Sequence, residues 1–183
     1  VIGFKTPEGY TMATPLCEIA QHADVSASFN DMIIGLIPGS MGETSVIAIA
    51  IGAVILLWTG IASWKTMLSV FLGGGLMAVV FEQLGMSSIP WYEHIVLGGF
   101  CFGAVFMATD PVTSARTESG KWVYGALIGI MAVVVRVMNP GYPEGMMLAI
   151  LFGNMFAPLI DYCVVDRNIS RRSKRGAQKN ANQ

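Results

Sequence analysis

The chain has 183 residues, of which 54% are hydrophobic and 13% charged, and its mean hydropathy is +0.59. Soluble domains average about 45 to 50% apolar and about 25% charged residues, so this composition excludes an ordinary soluble domain and a highly charged disordered chain. The formal net charge of -1 conceals an asymmetry: residues 1–44 carry one lysine and five acidic residues, whereas residues 167–183 carry six basic residues and no acidic one.

The first 44 residues form an acidic leader ahead of the first long apolar run. Within this leader, Pro15 favours an extended backbone at Thr14. The Thr14 hydroxyl is then exposed and could accept a covalently attached group. Alternatively, Thr14 caps a short helix predicted over residues 16–23. The residues alone leave both roles open.

A glycine-rich segment, residues 35–45 (GLIPGSMGETS), leads directly into that first apolar run. Its backbone amides and the positive end of the following helix would cradle an anion, with Gly39 and Ser40 at its centre. A Walker loop is excluded because the segment has no lysine. The alternative is that Thr44 or Ser45 caps the helix.

Five uncharged runs follow, and they predict an all-α, polytopic membrane helix bundle with five transmembrane spans. Only the first run reaches the roughly 17 to 25 residues of a full span; the others have 14 to 16. The predicted organisation is an outside leader (1–44), a five-span bundle (45–166) and a basic tail (167–183). Glycines within the runs indicate either close helix packing or interrupted helices that line a midplane site. The runs are 45–64, 66–81, 95–109, 122–135 and 145–160.

Three polar residues stand at predicted span ends. Asp110 follows the third run and Asp161 lies near the inner end of the fifth. Each is either a solvated helix cap or an entry ligand for an alkali cation, which binds hard oxygen ligands. Arg136, at the outer end of the fourth run, is expected to snorkel to the interface or to pair with Glu144.

The basic tail sets the expected orientation, because short segments rich in lysine and arginine stay in the cytoplasm. Five spans then place the leader outside. An outside leader without its own export signal leads us to expect an odd number of preceding spans, with this chain as one half of an inverted repeat. The tail is expected to contact anionic lipid and not nucleic acid. Aromatic residues at the span ends form an expected interfacial belt, namely Trp64, Trp91, Tyr92 and Trp122.

Three segments in this order, TMATPL (11–16), GLIPGSMGETS (35–45) and FMATDPVTS (106–114), resemble a known family. The chain is similar, over essentially its whole length, to the C-terminal half of the B subunits of bacterial sodium-translocating NADH:quinone oxidoreductases, relatives of the Rnf complex D subunits. In that family a flavin mononucleotide is attached through its phosphate to a threonine in an outside loop. The attachment position maps onto Thr14, and Thr11, Met12 and Ala13 complete the motif. Met12 departs from the family pattern Ser/Thr-Gly-Ala-Thr.

The resemblance implies a subunit of a complex that couples electron transfer from NADH to quinone with sodium export. It implies covalent FMN, with riboflavin and quinone shared with the preceding half, and other subunits and a flavin transferase as partners. The segment containing Gly39 and Ser40 would lie beside the flavin, and Asp110 and Asp161 would mark the sodium route. The expected location is the bacterial inner membrane, with the leader periplasmic and the tail cytoplasmic. An Rnf D subunit, using ferredoxin and NAD, and a non-redox channel or transporter half are the alternatives.

Overall fold

A computed structural model describes residues 29–37, 39, 42–87, 89–139 and 144–181, with side chains of the last helix to residue 174. This part of the chain is helical, without strands. The helices are α1 (Phe29–Ile34), α2 (Val46–Trp58), α3 (Trp64–Gln83), α4 (Trp91–Val96), α5 (Phe100–Phe102), which continues as a π-helix (Gly103–Met107), α6 (Glu118–Met138) and α7 (Met146–Ala181).

Among the described residues, three helices are long and apolar enough to cross a membrane: α3 with 20 residues, α6 with 21, and residues Met146–Lys174 of α7 with 29. A helix of 20 residues is about 30 Å long, which matches the hydrocarbon core of a bilayer. The predicted all-helical membrane bundle is therefore confirmed. The count of five spans stays a prediction.

The expectation that the first apolar run forms a full-length spanning helix is wrong. The helix in this run, α2, has only 13 residues. The Thr59 hydroxyl donates to the carbonyl of Ile55 at 3.0 Å and to that of Leu56 at 3.1 Å, and Gly60 has a φ of +70°. These two residues end the helix inside an uncharged stretch. A helix of 13 residues is about 20 Å long, so it is too short to cross a bilayer alone.

Glycines bring α3 and α6 into close parallel contact. A Cβ atom placed on Gly73 would lie 2.6 Å from the carbonyl oxygen of Ala126, and one placed on Gly129 would lie 2.6 Å from the amide nitrogen of Gly74. At Gly125, an added Cβ would lie 2.8 Å from a backbone oxygen of α3. Since only glycine permits these backbone approaches, the packing interpretation of these glycines is confirmed.

Helix α7 packs antiparallel to α6. Gly145, just before α7, lies against Ala132 near the end of α6, and Gly153 lies against Ile128. Farther along, the Tyr124 hydroxyl donates to Oδ1 of Asn154 at 2.5 Å. Because α3 and α6 are parallel, the segment between them must return across the bundle.

That returning segment, the third apolar run, is interrupted. Helix α4 ends at Val96, Gly98 takes a φ of +63°, and the helix resumes at Phe100 in a wider π geometry from Gly103 to Met107. Of the two alternatives for the glycines, interruption of the helix applies to this run.

The glycine contact gives a test of the fold in the full-length protein. We expect Gly129→Ala to destabilise it by about 1 to 3 kcal/mol, because the added methyl group meets backbone that has no free rotamer to adopt. Gly75→Ala is the matched control, since its Cβ would meet only Cδ1 of Ile95, at 3.7 Å. The measurement is the thermal unfolding midpoint in detergent. Equal midpoints for the two variants would contradict the packing argument.

Candidate functional site

Arg136 on α6 binds the backbone where the third run is interrupted. Its Nη1 donates to the carbonyl oxygen of His94 at 2.5 Å, and its Nη2 donates to that of Leu97 at 3.1 Å. The side chain is 7% exposed. These carbonyls lie at the end of α4, where the interruption deprives backbone groups of helical partners. The guanidinium therefore supplies the hydrogen bonds that a continuous helix would have made.

Other side chains satisfy the remaining groups at the interruption. The Gly99 amide donates to Oε1 of Glu144 at 3.3 Å, and the Cys101 thiol donates to the carbonyl of Ile95 at 3.2 Å. Glu43, at the end of the leader, reaches the same place: a Cβ on Gly99 would lie 2.9 Å from Cδ of Glu43 and 3.2 Å from Oε1 of Glu144. The leader, the interruption and the start of α7 thus meet at one end of the bundle.

The expectation that Arg136 snorkels or pairs with Glu144 is wrong. Arg136 is buried, and no ion pair joins it to Glu144 among the described residues. The physical reason is that the carbonyl groups of His94 and Leu97 stand free at the interruption and accept the guanidinium in place of a carboxylate. Glu144 is itself held by the amide of Gly99.

Two buried nitrogen atoms at this position have no hydrogen-bond partner within the described residues: Nε of Arg136 and Nδ1 of His94. The His94 side chain is 2% exposed, and its Nε2 lies 2.8 Å from the Ser87 hydroxyl. We call His94, Leu97, Gly99, Arg136 and Glu144 the break cluster. Sequence reasoning did not group these residues; the available signal was an arginine at the end of the fourth apolar run and the two successive glycines 98 and 99 in the third.

The glycine-rich segment is described in part. Gly39 is exposed, and the Ser45 hydroxyl accepts a hydrogen bond from the amide of Ala48 at 3.4 Å, so Ser45 caps α2 as one of the open alternatives predicted. The other predicted cofactor-binding residues and the helix predicted over 16–23 lie outside the described residues. Those cofactor-binding residues are Thr11, Met12, Ala13, Thr14 and Ser40.

The two candidate cation ligands bind opposite ends of one loop, residues 110–117. Asp161 accepts hydrogen bonds from the amides of Arg116 and Thr117, at 2.8 and 3.0 Å, and from the Thr117 hydroxyl at 2.6 Å. Asp110 accepts from the Thr113 hydroxyl at 2.8 Å and from the Thr113 amide at 3.1 Å. The Thr113 hydroxyl is the main reason that the pKa of Asp110 is lowered. Both carboxylates therefore organise the loop as anions.

Charged side chains join α3 to α6 at that same end. Glu118 pairs with Lys65 and, at 2.8 Å, with Lys121. Trp64 and Trp122 stand edge to face with ring centroids 6.2 Å apart, as members of the predicted interfacial belt. No group of three or more His, Cys, Asp or Glu side chains that would hold a metal ion occurs in the described part of the chain. Each carboxylate would have to recruit other oxygen atoms to bind a cation.

The fold is that of an integral membrane protein with a discontinuous helix. Its apolar helices pack in parallel and antiparallel pairs, and a buried arginine binds the interruption. The chain belongs to the NQR2, RnfD, RnfE family, whose family model matches residues 3–170.

Three relatives show how far the similarity extends. The chain is 54% identical over 179 residues to the B subunit of the Na(+)-translocating NADH-quinone reductase of Chromohalobacter salexigens, covering 93% of this chain and 44% of that protein. It is 49% identical over 183 residues to the protein of the same name from Klebsiella pneumoniae, with 92% and 44% coverage. It is 55% identical over 150 residues to the protein of the same name from Pseudomonas aeruginosa, covering 79% of this chain and 37% of that protein. The chain thus spans less than half the length of these relatives.

The hydrogen bond between Thr113 and Asp110 has a pH signature. Because the pKa of Asp110 is lower in the folded chain, its contribution to stability is present above the unfolded pKa and is lost as pH falls through the folded pKa. We expect Thr113→Val to raise this pKa and so to reduce the stability lost on acidification. The measurement is the unfolding midpoint from neutral to acidic pH. Thr113→Ser, which keeps the hydroxyl, should follow the wild type; identical profiles for Val and Ser would refute the assignment.

Proposed function

We propose that this chain is the flavin-carrying membrane half of the B subunit of a sodium-translocating NADH:quinone oxidoreductase. The observation that carries the proposal is the 54% identity over 179 residues to the Chromohalobacter salexigens protein of that name. In the complex, the chain would hold a flavin and part of the sodium route. NADH would be oxidised elsewhere in the complex, because this sequence has no dinucleotide fingerprint.

The flavin is proposed to be FMN esterified through its phosphate to the Thr14 hydroxyl, with Thr11, Met12 and Ala13 as the recognition motif. A threonine hydroxyl is a weak nucleophile, so a separate flavin transferase must activate it. When bound, FMN supplies one- and two-electron transfer. Attachment keeps the carrier at a high effective concentration beside its donor and acceptor.

The described end of the leader fits such a cofactor. Gly39 is exposed, and Gly42 has a φ of +86° with no heavy atom within 4 Å of an added Cβ, so the backbone leaves open space here. Gly39 and Ser40 are proposed to contact the flavin phosphate or ring through backbone amides. Because Ser45 already caps α2, the first helical turn retains other amides that lack this side-chain partner.

Asp110 and Asp161 are proposed to start the sodium route at the cytoplasmic end of the bundle. Both are anionic oxygen ligands beside a loop, and both residues are half-buried. The break cluster lies at the other end, near the leader. Sodium export would carry the ion from the aspartates toward that end.

The proposed setting is the bacterial inner membrane, with the leader periplasmic and the basic tail in the cytoplasm against anionic lipid. Other subunits, the flavin transferase and quinone are the proposed partners. Riboflavin and quinone would be shared with the preceding half.

A second candidate is the D subunit of an Rnf complex, because the matching family model describes NQR2 and RnfD together. It would carry the same flavin but serve ferredoxin and NAD. The non-redox channel or transporter half is favoured only by the interrupted helix, which also occurs in solute transporters.

Covalent flavin gives the most direct test. Full-length protein produced with the flavin transferase should give a band that fluoresces under ultraviolet light after denaturing electrophoresis, and Thr14→Ala should abolish that fluorescence. Thr6→Ala is the matched control, because it removes a leader threonine outside the motif and leaves the acceptor hydroxyl of Thr14 in place. A dark wild-type band would favour the non-redox pore, and a fluorescent Thr14→Ala band would place the attachment elsewhere.

The sodium route is tested in the assembled complex. We expect Asp110→Asn and Asp161→Asn each to raise the half-saturating sodium concentration for quinone reduction by about tenfold or more, the effect of losing about 1.4 kcal/mol of ion binding. Asp166→Asn, exposed on the same helix as Asp161, is the control.

Thr117→Val distinguishes a structural effect of Asp161→Asn from the loss of an ion ligand. It removes a hydrogen bond to the Asp161 carboxylate without removing the charge. Sodium stimulation should survive in Thr117→Val. If both asparagine variants respond to sodium as the wild type does, the proposed route is wrong.

A further inference from the structure

Arg136 is a cation held where a discontinuous membrane helix offers carbonyl oxygens. Its two Nη groups donate to the carbonyls of His94 and Leu97, and its burial is nearly complete. In transporters with interrupted helices, unwound carbonyls and the C-terminal ends of half-helices coordinate the translocated cation. Here the same type of oxygen is occupied by a side chain of the protein.

We propose that the break cluster is a second sodium-binding site and that Arg136 and sodium occupy it alternately. The proposal rests on the proposed sodium-exporting function. The ion's ligands would be the carbonyl oxygens of His94 and Leu97, which the guanidinium must release first. Arg136 is then a tethered competitor that blocks sodium binding at this site while it occupies the carbonyl oxygens.

Glu144 gives the released guanidinium a place to go. Its Oε1 is held by the amide of Gly99, two residues beyond Leu97, so the carboxylate stands at the other side of the same interruption. Arg136 is not paired with a carboxylate in the described structure, and its buried Nε has no partner there. An arginine moving from the carbonyls to Glu144 would exchange two neutral acceptors for an anionic one, so the released guanidinium would still have a hydrogen-bond partner.

The position of the break cluster in the bundle suits a sodium-binding site on the export route. The end of the leader reaches Gly99 through Glu43, and the predicted entry residues Asp110 and Asp161 lie at the opposite end. A buried charge within a membrane protein is costly to maintain, which marks such an arginine as functional. Closure by a tethered cation would prevent sodium from leaking back while the guanidinium remains in place.

The competition predicts opposite effects for two substitutions. The apparent affinity for an ion falls in proportion to the fraction of protein in the binding-competent state. With the carbonyls free in about one molecule in ten, Arg136→Met would lower the half-saturating sodium concentration about tenfold. Glu144→Gln would raise that concentration, because the guanidinium loses its alternative anionic partner.

The experiment measures quinone reduction against sodium concentration in the purified complex, with the amount of assembled complex recorded for each variant. Arg136→Lys keeps a cation and should fall between the wild type and Arg136→Met. Arg167→Gln, exposed on α7, is the control and should match the wild type. A purely structural clamp would reduce assembly in both variants without moving the half-saturating concentration in opposite directions.

Unchanged or same-direction shifts for Arg136→Met and Glu144→Gln would overturn the competition. If Arg136→Met fails to assemble, the rise predicted for Glu144→Gln decides the matter alone. A wild-type complex without any sodium stimulation would instead reject the proposed function, so the two failures are distinguishable.

Discussion

The polar backbone groups at residues 94–99 impose the tightest constraint on this structure. Backbone groups buried away from water need hydrogen-bond partners, so a buried interruption in a helix is tolerated where the protein supplies those partners. Arg136 and Cys101 supply donors to the carbonyls, and Glu144 supplies an acceptor to an amide. The position of α6 is therefore tied to the interruption, since moving it would strip two carbonyls of their partner.

The close approach of α3 and α6 makes that geometry possible. At Gly73 and Gly129 the two helices touch backbone to backbone, which fixes their spacing more closely than interdigitated side chains would. With α6 fixed at this distance, its last turn places Arg136 beside the returning segment. The glycines at the middle of the pair and the arginine at its end thus serve one arrangement.

The sequence predicted the membrane bundle and the packing role of the small residues, because each depends on residue types that the sequence records directly. It offered interruption only as the alternative role of the glycines and did not single out the third run. It misjudged the first run because the absence of charge was taken as helix length, whereas Thr59 and Gly60 end α2 through a hydroxyl and a backbone angle. It also misassigned Arg136, because its partners are carbonyl groups, which every residue carries and no residue type identifies. The helix predicted over 16–23 and the leader threonines lie outside the described residues.

The two aspartates differ in what a sodium role would require of them. Asp161 on α7 holds three donors at the far end of the loop 110–117, so a cation that displaced them would detach this loop from the helix. Asp110 instead accepts from Thr113, three residues along the same loop, and losing those bonds would disturb only a local turn. A cation that displaces only a local turn costs the protein fewer contacts than one that detaches a loop from a helix. In the proposed sodium route, Asp110 is therefore suited to first contact with the ion and Asp161 to a later contact.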